Sequence, residues 1–424
     1  MFTSFSTALT GLAASEVGVD VVGNNLANLN TTGYKASTAS FYSLVAESLG
    51  LGSGGSVGLG TGKPRVITDF TQGAIQSTSG ALDAAIQGDG FFVVRDSAGT
   101  LNYTRAGNFQ VDANGNLITG TGEKVEGWTM TGGVLNTNGA ISDITIPSGT
   151  LRAPVPTTNM SLNLNLDASA TVGQANATFS TPIQVVDSLG TTHVLTVSFT
   201  KTDANTWDYA VTIPGEDVTA GTAGTPFPID SAAGTLTFDS NGVLSDPPPP
   251  PPADNGLVPI TITGLVDGAS DMDINWSLYA PDLSSRVTQY AQATALASNS
   301  QDGLTAAQLT HVALSDGGQI IAQFSNGQQV TVAQVAIASI RNPDSLVAVG
   351  DNNFQIGPNT AAPAIGLPDT AGRGKVLGGA LESSTVDIAR EFTNLILMQR
   401  GYEANAKVIS ATDQLTQTTI NLKQ

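Results

Sequence analysis

Apolar and small residues recur three and four positions apart at both ends of the chain, and this pairing limits the folds open to it. From Phe5 one track runs through Ala8, Leu12, Ser15, Val19, Val22, Leu26 and Leu29, the spacing of a heptad seam on one face of an α-helix. At the other end Leu381, Ile388, Phe392, Leu395, Gln399, Tyr402, Ala406, Ile409, Asp413, Thr416 and Ile420 lie on a second track. Asn28, Asn30, Thr31, Thr32 and Gly33 stop the first helix, because Asn and Gly accept the left-handed conformation that closes a helix C-terminus. Asn24 and Asn25 sit inside it against propensity. Ser383 or Ser384 with Asp387 caps the second, and Gln399, Asp413 and Thr416 weaken its seam. One such helix fits any globular core; two at opposite ends point to a coiled-coil-like domain made of the termini. Its expected polymerisation seam is Leu12, Val19, Val22, Leu26, Leu29, Ile388, Phe392, Leu395, Tyr402 and Ile409.

Between the helices the period changes to two, predicting strands at Gly90 to Arg95, Asn108 to Asp112, Ile183 to Val186, His193 to Thr200 and Trp207 to Ile213. Asn114-Gly115, Asn138-Gly139, Asn241-Gly242 and Asn326-Gly327 supply the positive φ of tight hairpins. Leu49 to Gly62 is Gly-rich and reads as a connector, and Pro247 to Pro252 reads as extended polyproline II. Residues 151–283 hold 14 Asp and Glu against 2 Lys and Arg, −12 of the formal −19. The expected architecture is mainly β with long terminal α-helices. It comprises a helical domain (1–34 and 381–424), a connector (35–70), a discontinuous inner β domain (71–150 and 284–380) and, inserted in it, an acidic outer β domain (151–283) with a proline-rich loop.

The same composition removes several functions. Charged residues are 12% of the chain against about 25% typically, and Gly numbers 47, so the surface is largely uncharged and polar, as suits a subunit covered by neighbours. The acidity and the lack of any basic cluster exclude nucleic acid. Without cysteine there is neither disulfide nor thiolate metal site. Residues 1–33 carry no Lys or Arg and are interrupted by Ser, Thr, Gly and Asn, so neither a cleaved signal peptide nor a membrane-spanning helix is expected.

Candidate chemistry is sparse. Gly58, Gly60 and Gly62 before Lys63 lack the spacing and the following helix of a phosphate loop. Asp112, Asn114, Asn116 and Glu123 have the spacing of a calcium loop with the glycine misplaced to Gly115, so a hairpin turn is expected. Asp267, Asp271 and Asp273 read as solvated acids on a turn rather than a cation site. His193 and His311 have no recognisable partner and are assigned to ordinary packing. No cofactor, metal or catalytic residue is expected.

The run Val21-Val22-Gly23-Asn24-Asn25-Leu26-Ala27-Asn28-Leu29-Asn30-Thr31-Thr32-Gly33-Tyr34-Lys35 closely resembles the N-terminal signature of the flagellar rod and hook axial proteins. Gly23, Asn24, Asn25, Asn28, Gly33 and Tyr34 are its motif positions. Gly379 to Asp387, continued by Glu391 and Gln399 to Ala406, resembles the matching C-terminal hallmark. Leu82 to Val94 and Tyr103 to Phe109 are similar to axial-protein interiors. Val185 to His193 and Leu236 to Gly242 look like strands of the hook branch, which rod proteins, being shorter, lack. The resemblance implies a curved, flexible tubular polymer of this chain that joins basal body to filament as a universal joint. It also implies rod, hook–filament junction and cap partners, and delivery by the flagellar export apparatus to an extracellular hook. A distal rod or other axial subunit, an adhesin-like secreted β protein and a secreted hydrolase are the alternatives. Burial along the two seams falls short of the ordering entropy of the terminal residues, so the helices are expected to need neighbouring copies to fold.

Overall fold

The computed structural model describes residues 2–44, 47–48, 56–131, 134–147, 151–249 and 256–421. Residues 49–55 of the Gly-rich stretch and Pro250 to Pro252 of the proline run lie outside them. The architecture is mainly β with a long helix near each end: α1, Phe2–Ala27, and α2, Ile388–Asn421. Two compact units divide the chain. The first comprises 1–148, 311–323 and 329–424; the second, inserted within it in sequence, comprises 149–310 and 324–328.

In the first unit Lys124–Thr131 is the hub of a large sheet, pairing with Phe91–Arg95 and Gln329–Val335. Phe91, Val93, Tyr103, Trp128, Ala338 and Phe354 form one core beneath it, with Phe70 packed edge-on against Phe91 and Phe354 at 5.5 and 5.0 Å. The strands flanking the helices pair with their chain neighbours' counterparts: Ile75–Ser77 with Ala380–Glu382, and Ala84–Gln87 with Lys375–Gly378. Both helices therefore leave the β core from one place.

Three expectations change here. The outer domain expected over 151–283 continues to residue 310 and takes in 324–328, because Val287–Tyr290 and Ala295–Gln301 pair with Asn159–Asp167. The second heptad track begins at Leu381, but Leu381 lies in the strand Ala380–Glu382 and α2 starts only at Ile388. Asp387 caps it, its Oδ1 accepting the backbone N–H groups of Ala389 and Arg390 at 2.9 and 3.1 Å. The connector 35–70 is not wholly irregular, since Ser37–Ser40 pairs antiparallel with Arg65–Thr68. Gly60 and Thr61 also dock on α1, where Thr61 N–H and Oγ1 bond Thr10 Oγ1 and carbonyl, both at 3.2 Å.

The second unit contains two five-stranded sheets. Thr178–Val186, Thr192–Asp203, Thr206–Pro214, Pro226–Phe238 and Leu244–Asp246 form an antiparallel meander. In the other, Asn159–Asp167 is central, parallel to Met272–Ser277 and Val287–Tyr290 and antiparallel to Ala295–Gln301, while Leu257–Ile262 pairs with Met272–Ser277. Alternating inward residues of both sheets make one core around the buried Trp207 and Trp276, with Phe199 and Tyr209 edge-on to Trp276.

Candidate functional site

α1 and α2 pack antiparallel along small residues. A Cβ on Gly11 would stand 2.8 Å from Asn405, one on Gly18 2.6 Å from Met398, and one on Gly401 3.3 Å from Ser15. The α1 face so used, Ala8, Gly11, Ser15, Gly18, Val22 and Asn25, keeps Ala8, Ser15 and Val22 of the expected track. It replaces Leu12, Val19 and Leu26 by Gly11, Gly18 and Asn25, one position earlier. Small side chains let the two backbones approach closely, and the larger apolar side chains are displaced to the flanks. Leu12, Val19, Leu26, Leu29, Leu395 and Ile409 are half-buried. Ile388 and Tyr402 are exposed, Phe392 is 52% exposed and Leu397, which the track does not contain, 60%. By length and mean hydropathy (1.2) Ser4–Ala27 passes for a membrane span; the expectation that it is not one rests on its Ser, Thr and Asn.

The motif after α1 fastens the helix to the β core. Asn25, fully buried, accepts the Ser37 N–H at Oδ1 (3.0 Å) and donates from Nδ2 to the Ser37 carbonyl (2.7 Å), as a neighbouring strand would. The Tyr34 hydroxyl donates to the same Oδ1 at 3.2 Å. Asn28 Nδ2 donates back to the Asn24 carbonyl at 2.9 Å and its Oδ1 accepts the Thr31 hydroxyl, closing the helix end. Gly33, at φ +68°, has Arg105 backbone 2.6 Å from where a Cβ would lie, so neither its conformation nor its surroundings admit a side chain. Gly23 is different: it is exposed, mid-helix, and has nothing within 4 Å. A half-open cleft of about 640 Å³ runs beside this segment, lined by Asn24, Asn28, Tyr34, Asn108 and Asn352 among others.

Next to the motif lies a buried charge cluster. Glu382, fully buried, takes Lys35 Nζ at 2.6 Å and Gly73 N–H at 2.7 Å on Oε1, and Arg105 at 3.3 Å on Oε2. Lys35 also donates to the Thr71 carbonyl (2.7 Å), and Arg105 to the Gly88 carbonyl (2.9 Å) while lying over the Phe91 ring. Burial pushes both cations below their usual pKa, and Glu382 opposes that shift in each. Three of the stretches that carry the family resemblance, one ending at Lys35, one spanning Arg105 and one beginning before Glu382, thus meet at one carboxylate.

The remaining sequence candidates are accounted for. Asp112 Oδ1 accepts the N–H groups of Asn114 and Asn116, both at 2.8 Å, making the expected turn. Glu123 instead binds the Thr119 and Thr121 hydroxyls and Asn353 Nδ2. Asp271 takes the Gly264 N–H at 3.0 Å. His311 is exposed. His193 overturns its assignment as a packing residue without partners: its Nδ1 is 3.0 Å from Asp217 and its Nε2 3.2 Å from Asp187. Those acids come from separate turns, which is why spacing alone did not reveal them.

Four family models match in chain order: the flagella basal body rod protein over residues 5–35, the flagellar hook protein FlgE/F/G D1 domain over 85–167, the flagellar basal body protein FlaE D2 domain over 163–304, and the flagellar basal body rod FlgEFG protein C-terminal region over 377–422. The chain is 34% identical to the flagellar hook protein FlgE of Salmonella typhimurium, over 99% of its own length and all of the relative's. This chain belongs to the flagellar hook protein family. FlgE of Escherichia coli (32%, 99% and 100% covered) and of Borreliella burgdorferi (32%, both chains fully covered) are similar in the same way. The crystal structure of Helicobacter pylori flagellar hook protein FlgE2 shares the fold, with TM-score 0.52 over 71% of this chain and 99% of that one at 16% identity. The matched regions run from the first helix through both β units to the last.

Proposed function

We propose that this chain is the structural, non-catalytic subunit of a bacterial flagellar hook, and that it polymerises through α1 and α2 into a curved, flexible tube that transmits torque. The observation that carries this reading is the exposed apolar side chains of α2. Phe392, Ile396, Leu397, Tyr402, Val408 and Leu415 are all exposed along one helix, on several of its sides at 3.6 residues per turn, which leaves apolar surface for more than one neighbouring copy to cover. Gly23 supports it from α1: a glycine within a helix costs about 1 kcal/mol relative to alanine, none of the described residues lies within 4 Å of where its Cβ would stand, and the bare backbone leaves room for a neighbouring copy. Heterologous contacts of this kind extend into an open helix rather than a closed ring.

On this reading Leu12, Val19, Leu26, Leu29, Ile388, Phe392, Leu395, Tyr402 and Ile409 meet other copies, while Val22 serves the subunit's own helix pair. The terminal helices form the inner layer, and the acidic segment 151–283 the outer, where like charges keep lateral contacts weak and salt-sensitive. Rod, junction and cap proteins bind the ends of the tube, and the chain reaches the cell exterior by flagellar export. The test is electron microscopy and sedimentation of purified protein: long tubes of wild type, and none when Phe392 and Leu397 are both changed to Asp. Tube formation by that double variant at the wild-type concentration would move the assembly contacts elsewhere.

A further inference from the structure

His193 is held in a geometry that ordinary packing does not require. It sits on the strand Thr192–Asp203 with a side chain 4% exposed. Asp187, fully buried, comes from the turn before that strand, Asp217 from the turn after Thr206–Pro214, and Asp267 from the loop between Leu257–Ile262 and Met272–Ser277 of the other sheet. Asp217 Oδ2 binds Nδ1 at 3.0 Å and so aims Nε2 at Asp187 Oδ2 (3.2 Å) and Asp267 Oδ2 (3.9 Å). Asp187, His193 and Asp267 each offer a ligand atom within 4.8 Å of the others. The second unit has three basic side chains, and all are engaged elsewhere: Arg152 with Gln328, Lys201 with the Ala168 carbonyl, Arg286 with Tyr279 and Asn163. Three carboxylates therefore surround one imidazole with no Lys or Arg to balance them.

We propose that Asp187, His193 and Asp267 form a structural site for one divalent transition-metal ion, zinc being the reference case, with Asp217 as the carboxylate that orients the histidine. Ligand bonds of about 2.0–2.2 Å in a tetrahedron place the donor atoms about 3.3–3.6 Å apart. The observed 3.2 and 3.9 Å bracket that edge. A histidine donating its other ring nitrogen to a carboxylate is the usual support of such a ligand. An imidazole in the donor set favours zinc, nickel or copper over magnesium, calcium and manganese, which prefer oxygen ligands. Asp267 and Asp217 are about a quarter exposed, giving the ion a path from solvent. Bound there, the ion ties the meander to the loop of the opposite sheet, where Val218 already bridges to Leu265 and the Ser188 hydroxyl accepts the Ser270 N–H.

The experiment uses the full chain stripped with EDTA and dialysed against Zn²⁺ or Co²⁺ alone, with metal content measured by element analysis. One equivalent is expected, together with the visible bands of tetrahedral Co²⁺ and a rise in the melting temperature of the second unit. Asp267→Ala, on a partly exposed loop, removes a ligand and is expected to weaken uptake at least 100-fold. Asp217→Asn is expected to weaken it about 10- to 100-fold, and the control His311→Gln to leave it unchanged. His193→Gln is read only where near-ultraviolet dichroism shows the second unit folded. Absence of stoichiometric Zn²⁺ and Co²⁺ uptake, uptake unaffected by Asp267→Ala, or binding of Ca²⁺ in preference to Zn²⁺ overturns the proposal.

Discussion

The helix pair of the first unit and the two-sheet core of the second use apolar residues in opposite ways. In the second, alternating strand positions turn most large apolar side chains inward around Trp207 and Trp276, leaving those on turns, such as Leu189, Val266 and Leu283, exposed. Along α1 and α2 the inward seam is built largely from Gly, Ser and Ala, while Leu12, Val19, Leu26, Leu395 and Ile409 are only half-buried and Phe392, Ile396 and Leu397 are exposed. A small-residue seam buries little apolar area, so by itself it contributes little at about 25 cal/mol per Å². The β unit spends its hydrophobic surface on its own fold, and the helices keep theirs for contacts with other copies. One chain thereby separates an assembly element from a self-contained one.

The strongest way to break this comparison is to charge the exposed apolar positions of α2. Phe392→Asp and Leu397→Asp each bury an unpaired carboxylate in the polymer at a cost of about 3 kcal/mol or more. The critical concentration for sedimentable tubes is expected to rise more than 100-fold, while the thermal melt of the monomer stays at the wild-type value. Glu403→Ala, on an exposed polar position, is the control. Equal loss of monomer stability would show that these positions pack within the subunit.

Glu382→Gln probes the junction that anchors the helices. It leaves Lys35 and Arg105 buried without a counter-charge and is expected to destabilise the first unit by about 3–5 kcal/mol. The second unit should be unaffected. Single-tryptophan variants separate the two, because Trp128 reports the first unit and Trp207 or Trp276 the second. Parallel losses in both reporters would mean that the units do not melt independently.

Gly18→Leu tests the seam, since the new side chain meets the Met398 sulfur. Overpacking of this kind costs about 1–3 kcal/mol, and faster amide exchange confined to α1 and α2 is the expected signature. Exchange no faster than wild type would place the helices farther apart than Gly18 and Met398 stand here.

The smallest effect is expected in the second unit at Asp302. Burial raises its pKa, but the N–H groups of Thr158 and Asn159, the Thr158 hydroxyl and the Asn159 amide outweigh that and bring it down from 3.8 to about 2. A carboxylate lowered on folding stabilises above its unfolded pKa and loses that contribution as pH falls from about 4 through 2. Asp302→Asn should cost about 1–2 kcal/mol at neutral pH, and the difference from wild type should shrink across that acid window. A difference independent of pH would assign the effect to packing.

Much of this was legible locally. The strands over Ile183 to Val186, His193 to Thr200 and Trp207 to Ile213 follow from alternation, and Asn114-Gly115, Asn241-Gly242 and Asn326-Gly327 turn where their positive-φ glycines allow. The site was legible only in part. Leu12, Val19 and Leu26 attract a seam on hydrophobicity, whereas Gly11 and Gly18 win it by letting helix backbones approach, a steric preference that no hydropathy period reports. Leu381 fits the helical spacing yet pairs with Gln76 in a strand, because its neighbours are committed to the β core. Glu382 looks like any acid in the sequence, 277 positions from Arg105 and 347 from Lys35.

By itself, then, the sequence determined two terminal helices, a hairpin-rich middle, an acidic inserted segment and membership of an axial family, because period, turn chemistry and composition act over a few residues. Only the tertiary structure decided which helix face turns inward, that Lys35, Arg105 and Glu382 share one buried point, and that three aspartates converge on His193. Those outcomes depend on desolvation and steric fit between segments tens to hundreds of residues apart, and neither quantity exists until the chain has folded.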